Sequence, residues 1–326
     1  MELHKRPRRL RQDGIRDLIS ETKISSTDLV APVFVDATIS SRQPIESMPG
    51  HERVPIDQVV ERVTEIQKTG VKAIILFGVP EQKDQRGTRA WASNGVIQRA
   101  VRKLATETDI YIITDVCLCE YTSHGHCGVI ESMAESNPTV TVKNDETLEL
   151  LSKIAISHAE AGADMVAPSG MIDGMVTAIR DGLDEEGFTN IPILSYAVKY
   201  HSSFYGPFRD AADGAPQFGD RRHYQMDPAN AREGNREVQL DIDQGADIVM
   251  VKPALPYLDI ITRIRDTTDH PIAAYNVSGE YAMLQAAADR GWLDLQETAF
   301  ESVLSIKRSG ADLIITYFAE MLAPRL

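Results

Sequence analysis

The tripeptide Gly-Ala-Asp occurs at three places in this 326-residue chain, each time between a helix-like stretch and an apolar run. The three copies begin at Gly162, Gly245 and Gly310. Glycine accepts the left-handed conformation that ends many helices, and an apolar run without alternation is typical of a strand buried on both faces of a parallel sheet. The segment after Gly70 follows the same plan. This recurrence indicates a fold in which helices and parallel strands alternate.

Eight apolar segments qualify as strands of such a sheet, at 29–36, 72–79, 111–117, 164–169, 192–199, 247–253, 271–278 and 312–318. Amphipathic stretches separate most of them, for example Asp145 to Glu160 and Ala229 to Asp243. Eight strand–helix units in about 290 residues predict an α/β fold of the (β/α)8 or TIM barrel type. A doubly wound sheet is the alternative, but no G-x-G-x-x-G fingerprint follows a strand.

The chain has no Ser/Gly-rich linker that would divide it into domains. We therefore expect a single catalytic barrel over residues 29–326, preceded by an extended N-terminal arm at residues 1–28. The arm carries apolar residues, among them Leu10 and Leu18, which predict contacts with other subunits.

The composition excludes several classes of partner. The net charge of −14 and the isoelectric point near 5.0 argue against nucleic acid, because phosphate must be neutralised by lysine and arginine. No apolar run approaches the ~20 residues of a membrane helix, and the basic start lacks the apolar core of a signal peptide. Clustered cysteines in odd number suit a reducing compartment. We expect a cytoplasmic globular protein without nucleic-acid or membrane partners.

All three cysteines of the chain, Cys117, Cys119 and Cys127, lie in one segment that also contains His124 and His126. Catalytic zinc sites commonly use three protein ligands and keep one position for water or substrate, whereas structural sites are closed by four. Three clustered thiolates therefore indicate a catalytic site for a soft divalent metal. The alternatives are a closed Cys3His site that includes one histidine, and inert buried cysteines.

Two lysines end apolar strands, Lys199 at predicted strand five and Lys252 at predicted strand six. Neighbouring strands lie ~4.8 Å apart, so the two ammonium groups could approach within ~5 Å. At an effective dielectric of about 20 their repulsion is roughly 3 kcal/mol, or about two pKa units. One amine would then be neutral near pH 7 and nucleophilic toward a ketone or aldehyde. The alternative is that each lysine reaches solvent or binds a carboxylate.

Other polar groups follow the same strand ends, where barrel enzymes place their active sites. Ser278 ends predicted strand seven and Tyr317 predicted strand eight, while Asp115 and Ser169 point into the same rim. The last two could hold protons or water near the lysines, or serve as structural hydrogen bonds.

The segment of about residues 200–222 has no helical or strand period, and connections of this length are usually lids or binding loops. Its Arg209 and Arg221 offer permanently charged forks for a substrate carboxylate. Arginines solvated at the surface are the alternative.

Five motifs in the chain are long and specific. They are the cysteine segment, Lys199 with Ser-Ser-Phe-Tyr-Gly-Pro-Phe-Arg, Met250-Val-Lys-Pro, Val277-Ser-Gly-Glu-Tyr-Ala-Met283 and the closing Gly-Ala-Asp-Leu-Ile-Ile-Thr-Tyr. They resemble the 5-aminolevulinate dehydratase family, also called porphobilinogen synthases, from about Arg8 to the C-terminus. The resemblance implies a (β/α)8 barrel with an N-terminal arm, assembly as a homo-octamer, and a hydro-lyase that condenses two 5-aminolevulinate molecules into porphobilinogen for haem biosynthesis.

The resemblance also implies roles for individual residues. Lys252 resembles the Schiff-base lysine and Lys199 its partner or the anchor of the second substrate. Ser278 and Tyr317 resemble the groups that hold the first carboxylate, and Arg209 and Arg221 those that hold the second. The three cysteines match a catalytic zinc (Zn²⁺) triad, and thiolate ligands favour zinc. Glu237 matches a position that binds an allosteric magnesium (Mg²⁺) in many members.

Two other functions are compatible with parts of the sequence. A class I aldolase-like enzyme would also use a Schiff-base lysine, but it would not need three clustered thiolates. A non-catalytic metal-binding barrel would not need two lysines and two arginines on one rim. Metal dependence and a pyrrole assay separate these possibilities from the dehydratase.

Overall fold

The computed structural model describes residues 5–131 and 140–326, in which strands and helices alternate along the chain. The strands are β1 (Leu29–Asp36), β2 (Gln43–Pro44), β3 (Glu52–Pro55), β4 (Ala73–Val79), β5 (Tyr111–Val116), β6 (Met165–Pro168), β7 (Leu194–Lys199), β8 (Ile248–Lys252), β9 (Ile272–Asn276) and β10 (Leu313–Thr316). The helices are α1 (Ile15–Leu18), α2 (Val59–Lys68), α3 (Val96–Glu107), α4 (Asn144–Ala161), α5 (Met175–Glu185), α6 (Gly206–Ala211), α7 (Arg232–Asp243), α8 (Leu258–Arg265), α9 (Ser278–Ala288), α10 (Leu295–Arg308) and α11 (Ala319–Leu322).

Eight of the strands form a parallel barrel in which each pairs with its neighbour in sequence. The hydrogen-bonded order is β6-β5-β4-β1-β10-β9-β8-β7, and a parallel bridge between Val166 and Ile193 joins the two ends. β2 and β3 form a small antiparallel pair that attaches to β1 through β3. Because all eight barrel strands run in the same direction, their carboxyl ends meet at one rim, where barrel active sites lie.

The three Gly-Ala-Asp copies act as clamps at the opposite, amino-terminal end of the barrel. In each copy the glycine has a positive φ, between 103° and 117°. The aspartate that follows donates its N–H to a carbonyl of the neighbouring strand and accepts the N–H of that same residue through its carboxylate. The carboxylates of Asp164, Asp247 and Asp312 accept at 2.8 Å from Ile112, Ile193 and Ile272. The motif therefore ends a helix and fixes the register of two strands together.

The predicted (β/α)8 fold is confirmed, and all eight predicted barrel strands are present. One boundary prediction is wrong: β9 ends at Asn276, so Ser278 is the first residue of α9 and not the last of a strand. The segment 200–222, predicted to lack regular structure, contains a 3₁₀ turn at Ser203–Tyr205 and the helix α6. Ser278 therefore begins a helix beside the rim, and Arg209 lies in the last turn of α6.

The predicted N-terminal arm begins with four residues that lie outside the described part of the chain. From Lys5 onward it holds a 3₁₀ turn at Pro7–Arg11 and the short helix α1. Leu18 on this segment is 84% exposed. Among the residues that the structure describes, no helix combines the length and apolarity needed to span a bilayer.

Candidate active site

The two strand-ending lysines lie opposite each other in the sheet. Lys199 on β7 is in register with Lys252 on β8, and each side chain is 5% exposed. Both ammonium groups lie over the ring of Tyr196, at 5.5 and 5.0 Å from its centroid. The alternative that these lysines reach out to solvent is therefore wrong, and the predicted pairing at the rim is observed.

Aromatic rings enclose Lys252. Its Nζ is 4.2 Å from the ring centroid of Tyr275, 5.0 Å from that of Phe208 and 5.4 Å from that of Tyr205. Burial among these rings, followed by repulsion from Lys199, lowers the pKa of Lys252 to about 7. At neutral pH a large share of this amine is therefore unprotonated and available as a nucleophile.

A buried carboxyl group faces the lysine pair. Asp115, at the end of β5, accepts a hydrogen bond from Ser169 Oγ at 3.1 Å, while its Oδ1 has no hydrogen-bond partner among the described residues. Burial and then the charge of Glu120 raise the pKa of Asp115 to about 7, against the attraction of Lys199 and Lys252. Asp115 and Lys252 therefore titrate in the same range, which suits proton exchange near the amines.

Lys199 is anchored differently from Lys252. Its Nζ donates to the carbonyl oxygen of Ser169 at 2.5 Å. Ser169 follows β6, so this bond ties the lysine across the barrel rim to the strand that closes the sheet. Lys199 therefore has a fixed position, whereas Lys252 is held only by ring faces among the contacts described above.

The three cysteine sulfurs converge directly after β5. Cys117, Cys119 and Cys127 are buried, and their sulfurs all lie within 4.8 Å of one another. Three sulfurs bound to one tetrahedral zinc at ~2.3 Å would be ~3.8 Å apart, so the residues present fit such an ion. Hydrogen bonds from Cys117 and Cys119 lower the pKa of Cys127 well below its usual range. One thiolate is therefore favoured even before a metal neutralises the cluster.

The neighbouring histidines are engaged elsewhere. The ring nitrogens of His126 lie 3.2 Å from the Tyr224 hydroxyl and 3.0 Å from the Phe218 carbonyl. In His124 one ring nitrogen contacts the Gln85 carbonyl and the other accepts the His126 N–H. In the described ranges no metal-ligand group combines these histidines with the cysteines. The geometry favours a three-cysteine site over a closed Cys3His site.

The two arginines of segment 200–222 have different environments. Arg221 is buried, and its Nη2 donates to the carbonyl oxygens of Gly125 at 2.9 Å and Gly214 at 2.6 Å. Arg221 thus connects segment 200–222 to the segment that carries the cysteines. The alternative prediction of a surface-solvated arginine is wrong for Arg221. Arg209 is half-buried, its Nε has no hydrogen-bond partner in the described part of the chain, and burial followed by Arg221 lowers its pKa. Arg209 is therefore the freer cation for an anionic ligand.

Ser278 and Tyr317 are both buried. The Ser278 hydroxyl accepts the N–H of Phe208 at 2.9 Å, which connects α9 to the helix of segment 200–222. The Tyr317 hydroxyl lies 3.2 Å from the Tyr275 hydroxyl. The structure thus brings these two hydroxyl groups to the rings that enclose Lys252.

Glu237 does not belong to this site. It lies half-buried on α7, beside a cavity of about 840 Å³ that is also lined by Asp173, Glu233 and Asp241. The Arg236 guanidinium donates to its carboxylate at 3.3 Å, and burial raises the pKa of Glu237. The surroundings of Glu237 are acidic, but they are separate from the lysines and the cysteines.

Sequence patterns did not reveal the aromatic residues around Lys252. Tyr196 and Tyr275 occur inside apolar strands, where an aromatic residue is ordinarily core, and Phe208 lies in the long segment after β7. Only the pairing of β7, β8 and β9 brings them to one amine. Tyr196 lies three residues before the end of β7 and Tyr275 one residue before the end of β9, so no shared spacing in the sequence marked them.

Comparison with known proteins identifies the family of the chain. A family model described as "Delta-aminolevulinic acid dehydratase" matches residues 4–324. The chain is 54% identical over 322 residues to the delta-aminolevulinic acid dehydratase of Archaeoglobus fulgidus, with 98% of both chains covered. The chain belongs to the delta-aminolevulinic acid dehydratase family. The family predicted from the sequence motifs is thereby confirmed.

Two further proteins support this assignment to the family. The dehydratase of Bacillus subtilis is 48% identical over 317 residues, covering 97% of this chain and 96% of that protein. A crystal structure of the Toxoplasma gondii delta-aminolevulinic acid dehydratase (porphobilinogen synthase) in complex with the reaction product porphobilinogen has a TM-score of 0.95 at 42% identity, covering 99% of this chain and 92% of that one. The predicted function, a lyase of the porphobilinogen synthase type, is confirmed, and neither alternative function is favoured. The family is metal-dependent, and the cysteine group offers a place for the ion.

Proposed function

We propose that this enzyme condenses two molecules of 5-aminolevulinate into porphobilinogen, with loss of two water molecules, through a Schiff base at Lys252. The observation that carries this proposal is the pair of buried amines on adjacent strands, one of which has a pKa of about 7. A neutral amine attacks a ketone, and the resulting iminium acidifies the neighbouring carbon, which is the step a carbon–carbon condensation needs.

The other polar groups of the rim supply proton transfers and orientation. Lys199, held by the Ser169 carbonyl, would anchor the second substrate beside the reacting carbon. Asp115, with a pKa near 7 and a free carboxylate oxygen, would accept and return protons during loss of water. Ser169 would hold this carboxylate in place through its hydroxyl.

Two pairs of residues would bind the two substrate carboxylates. Ser278 begins α9 and Tyr317 directly follows β10, both beside the rings around Lys252, and the two would hold the first carboxylate. Arg209 and Arg221 would hold the second, since the first has an unpartnered Nε and the second is fixed between two carbonyls. Segment 200–222 would act as a lid that excludes water while the bonds form.

Cys117, Cys119 and Cys127 would hold a zinc ion with one open position. When bound, zinc polarises a ketone oxygen as a Lewis acid or supplies hydroxide. The thiolate preference of zinc supports this ion over magnesium at the cysteines. At Glu237 the half-buried carboxylate in an acidic surround supports a separate magnesium site, with an allosteric role.

The remaining proposals concern the assembly. The exposed apolar residues of the arm, such as Leu18, support subunit contacts of residues 1–28 in a homo-octamer. A single catalytic domain over residues 29–326, with the lid at 200–222, accounts for the barrel and its active site. The excess of acidic over basic residues and the reduced cysteines support a cytoplasmic location.

The test is a colorimetric pyrrole assay with 5-aminolevulinate on the wild type, Lys252→Ala and the control Lys103→Ala. Lys103 lies on α3 and pairs with Asp57 at the surface. We expect the wild type and the control to form the pyrrole, whereas Lys252→Ala forms none because the nucleophile is missing. Full activity of Lys252→Ala would overturn the proposal.

A further inference from the structure

Glu280 is a fully buried acidic side chain near the active-site rim that takes no part in the chemistry proposed above. Burial raises its pKa to about 8, while hydrogen bonds from backbone N–H groups and from Asn276 lower it. Glu280 is the third residue of α9 and has 0% exposure. No lysine or arginine of the described residues forms a salt bridge with it, and acidic residues are almost never fully buried without partners. Its partners are therefore hydrogen-bond donors, and they reveal what it holds together.

The donors come from two different strand ends. One carboxylate oxygen of Glu280 accepts the N–H of Leu255 at 2.7 Å, and Leu255 lies three residues after Lys252. The other oxygen accepts the N–H of Val277 at 2.6 Å, and Val277 directly precedes Ser278. A glutamate that only capped its own helix would bond the second N–H alone. Glu280 therefore joins the chain after β8 to the end of β9.

The network continues to a third strand end through Asn276. The Asn276 side chain donates to Glu280 at 2.8 Å and accepts from the hydroxyl of Thr316 at 2.8 Å. The Thr316 oxygen in turn accepts the N–H of Phe318 at 3.1 Å. Thr316 and Phe318 flank Tyr317, and the side chains of Asn276 and Thr316 are fully buried. One buried network thus spans the ends of β8, β9 and β10.

We propose that Glu280 is a positioning residue: it fixes the separation between the Lys252 amine and the Ser278 and Tyr317 hydroxyls. The inference rests on the proposed function, in which the amine forms the Schiff base and the hydroxyls hold the carboxylate of the same substrate. Both ends of one small molecule can be engaged at once only if this separation is constant. The network sets it through rigid strand ends rather than through contact with the substrate.

The test variant is Glu280→Gln, which keeps the size of the side chain but turns one oxygen into an N–H donor that faces other donors. The probes are levulinic acid, a ketone with the substrate's carboxylate and no amine, and its uncharged amide. Borohydride traps each ketone on Lys252, and mass spectrometry gives the half-saturating concentration. We expect Glu280→Gln to raise the half-saturating concentration roughly tenfold or more for levulinic acid and less than twofold for its amide. A misplacement of ~1 Å is costly only for a ligand whose ketone and carboxylate must both be bound at once.

Asp312→Asn is the matched control, because it removes a carboxylate that clamps the same strand, β9, at the opposite end of the barrel. It should lower the melting temperature without changing the ratio between acid and amide. If Glu280→Gln does not fold, Thr316→Val tests the same network through β10 and should also penalise the acid selectively. An unchanged acid-to-amide ratio in the folded network variant overturns the inference. Absence of any adduct on wild-type Lys252 refutes instead the proposed function on which it rests.

Discussion

Replacing Lys199 by methionine is expected to raise the pKa of Lys252. The change removes the neighbouring positive charge and keeps a side chain of similar length. Lys199 and Lys252 are opposite each other on adjacent strands, so their nitrogens can be separated by ~5 Å. At an effective dielectric of about 20 the lost repulsion is roughly 3 kcal/mol, which corresponds to about two pKa units.

The starting pKa of Lys252 is about 7, and burial is the larger cause of its depression. Burial persists in the variant, so the pKa of Lys252 should rise to roughly 9 and not to the value of a free lysine. Below the pKa the amine is protonated and cannot attack a ketone. The reactive fraction at pH 7 should therefore fall from about a half to about a hundredth, or roughly fiftyfold, even though Lys252 itself is unchanged.

The assay is the rate of adduct formation between Lys252 and acetone in the presence of cyanoborohydride, measured from pH 6 to pH 10 by intact mass. A neutral ketone avoids any contribution from carboxylate binding, and peptide mapping assigns the modified lysine. The wild-type rate should reach half its maximum near pH 7, and that of Lys199→Met near pH 9. Lys199→Arg keeps the charge and should behave like the wild type.

Two results would refute this reasoning. If Lys199→Met keeps its midpoint near pH 7, burial alone sets the pKa of Lys252 and the lysine pair is not electrostatically coupled. If Lys199→Arg shifts as far as Lys199→Met, the hydrogen bond of Lys199 to the Ser169 carbonyl matters and its charge does not.

Three further perturbations test other parts of the account. Lys252→Met should raise the melting temperature more at pH 6 than at pH 10. The unfolded lysine keeps its proton until the pH exceeds its ordinary pKa of 10.5, whereas the folded one loses its proton near pH 7. Burial of the charged amine therefore opposes folding by up to about 5 kcal/mol at low pH, and equal gains at both pH values would contradict this. Elemental analysis should find less zinc in Cys127→Ser than in the wild type. Wild-type enzyme inactivated by a chelator should regain activity when zinc is added. Undiminished activity of the metal-free protein would show that the reaction does not need the ion. Gly125→Ala should lower kcat while Lys252 still reacts with acetone, because its Cβ would lie 2.3 Å from the Ala215 carbonyl in segment 200–222. Gly187→Ala has a similar positive φ and open space around it, so an equal loss of kcat in this control would exclude displacement of segment 200–222 as the cause.

The barrel could be predicted because its signals are local. Each Gly-Ala-Asp copy ends a helix and begins a strand within a few residues, so the glycine and the apolar run after it needed no tertiary information. The rim position of Lys199 and Lys252 followed from strand direction alone. By contrast, the clamping bonds of Asp164, Asp247 and Asp312 could not be foreseen, since the motif does not say which neighbouring strand the carboxylate meets.

The parts that sequence reasoning missed depend on contacts between distant segments. The β2–β3 pair is short and polar, so it carries no apolar pattern, and it depends on β1 for support. The helix boundary at Ser278 was misjudged because the apolar residue Val277 follows β9 directly and resembles a continuation of the strand. The aromatic enclosure of Lys252 and the buried partners of Glu280 come from three or more elements, which no spacing in one segment encodes.

Schiff-base formation at Lys252 is tested most directly by quenching the wild-type enzyme with borohydride during turnover of 5-aminolevulinate and mapping the modified peptide. We expect a reduced substrate adduct on Lys252, formed in good yield at pH 7 where much of its amine is unprotonated. A digest in which Lys252 is unmodified, while the adduct lies on another residue or is missing altogether, would contradict it.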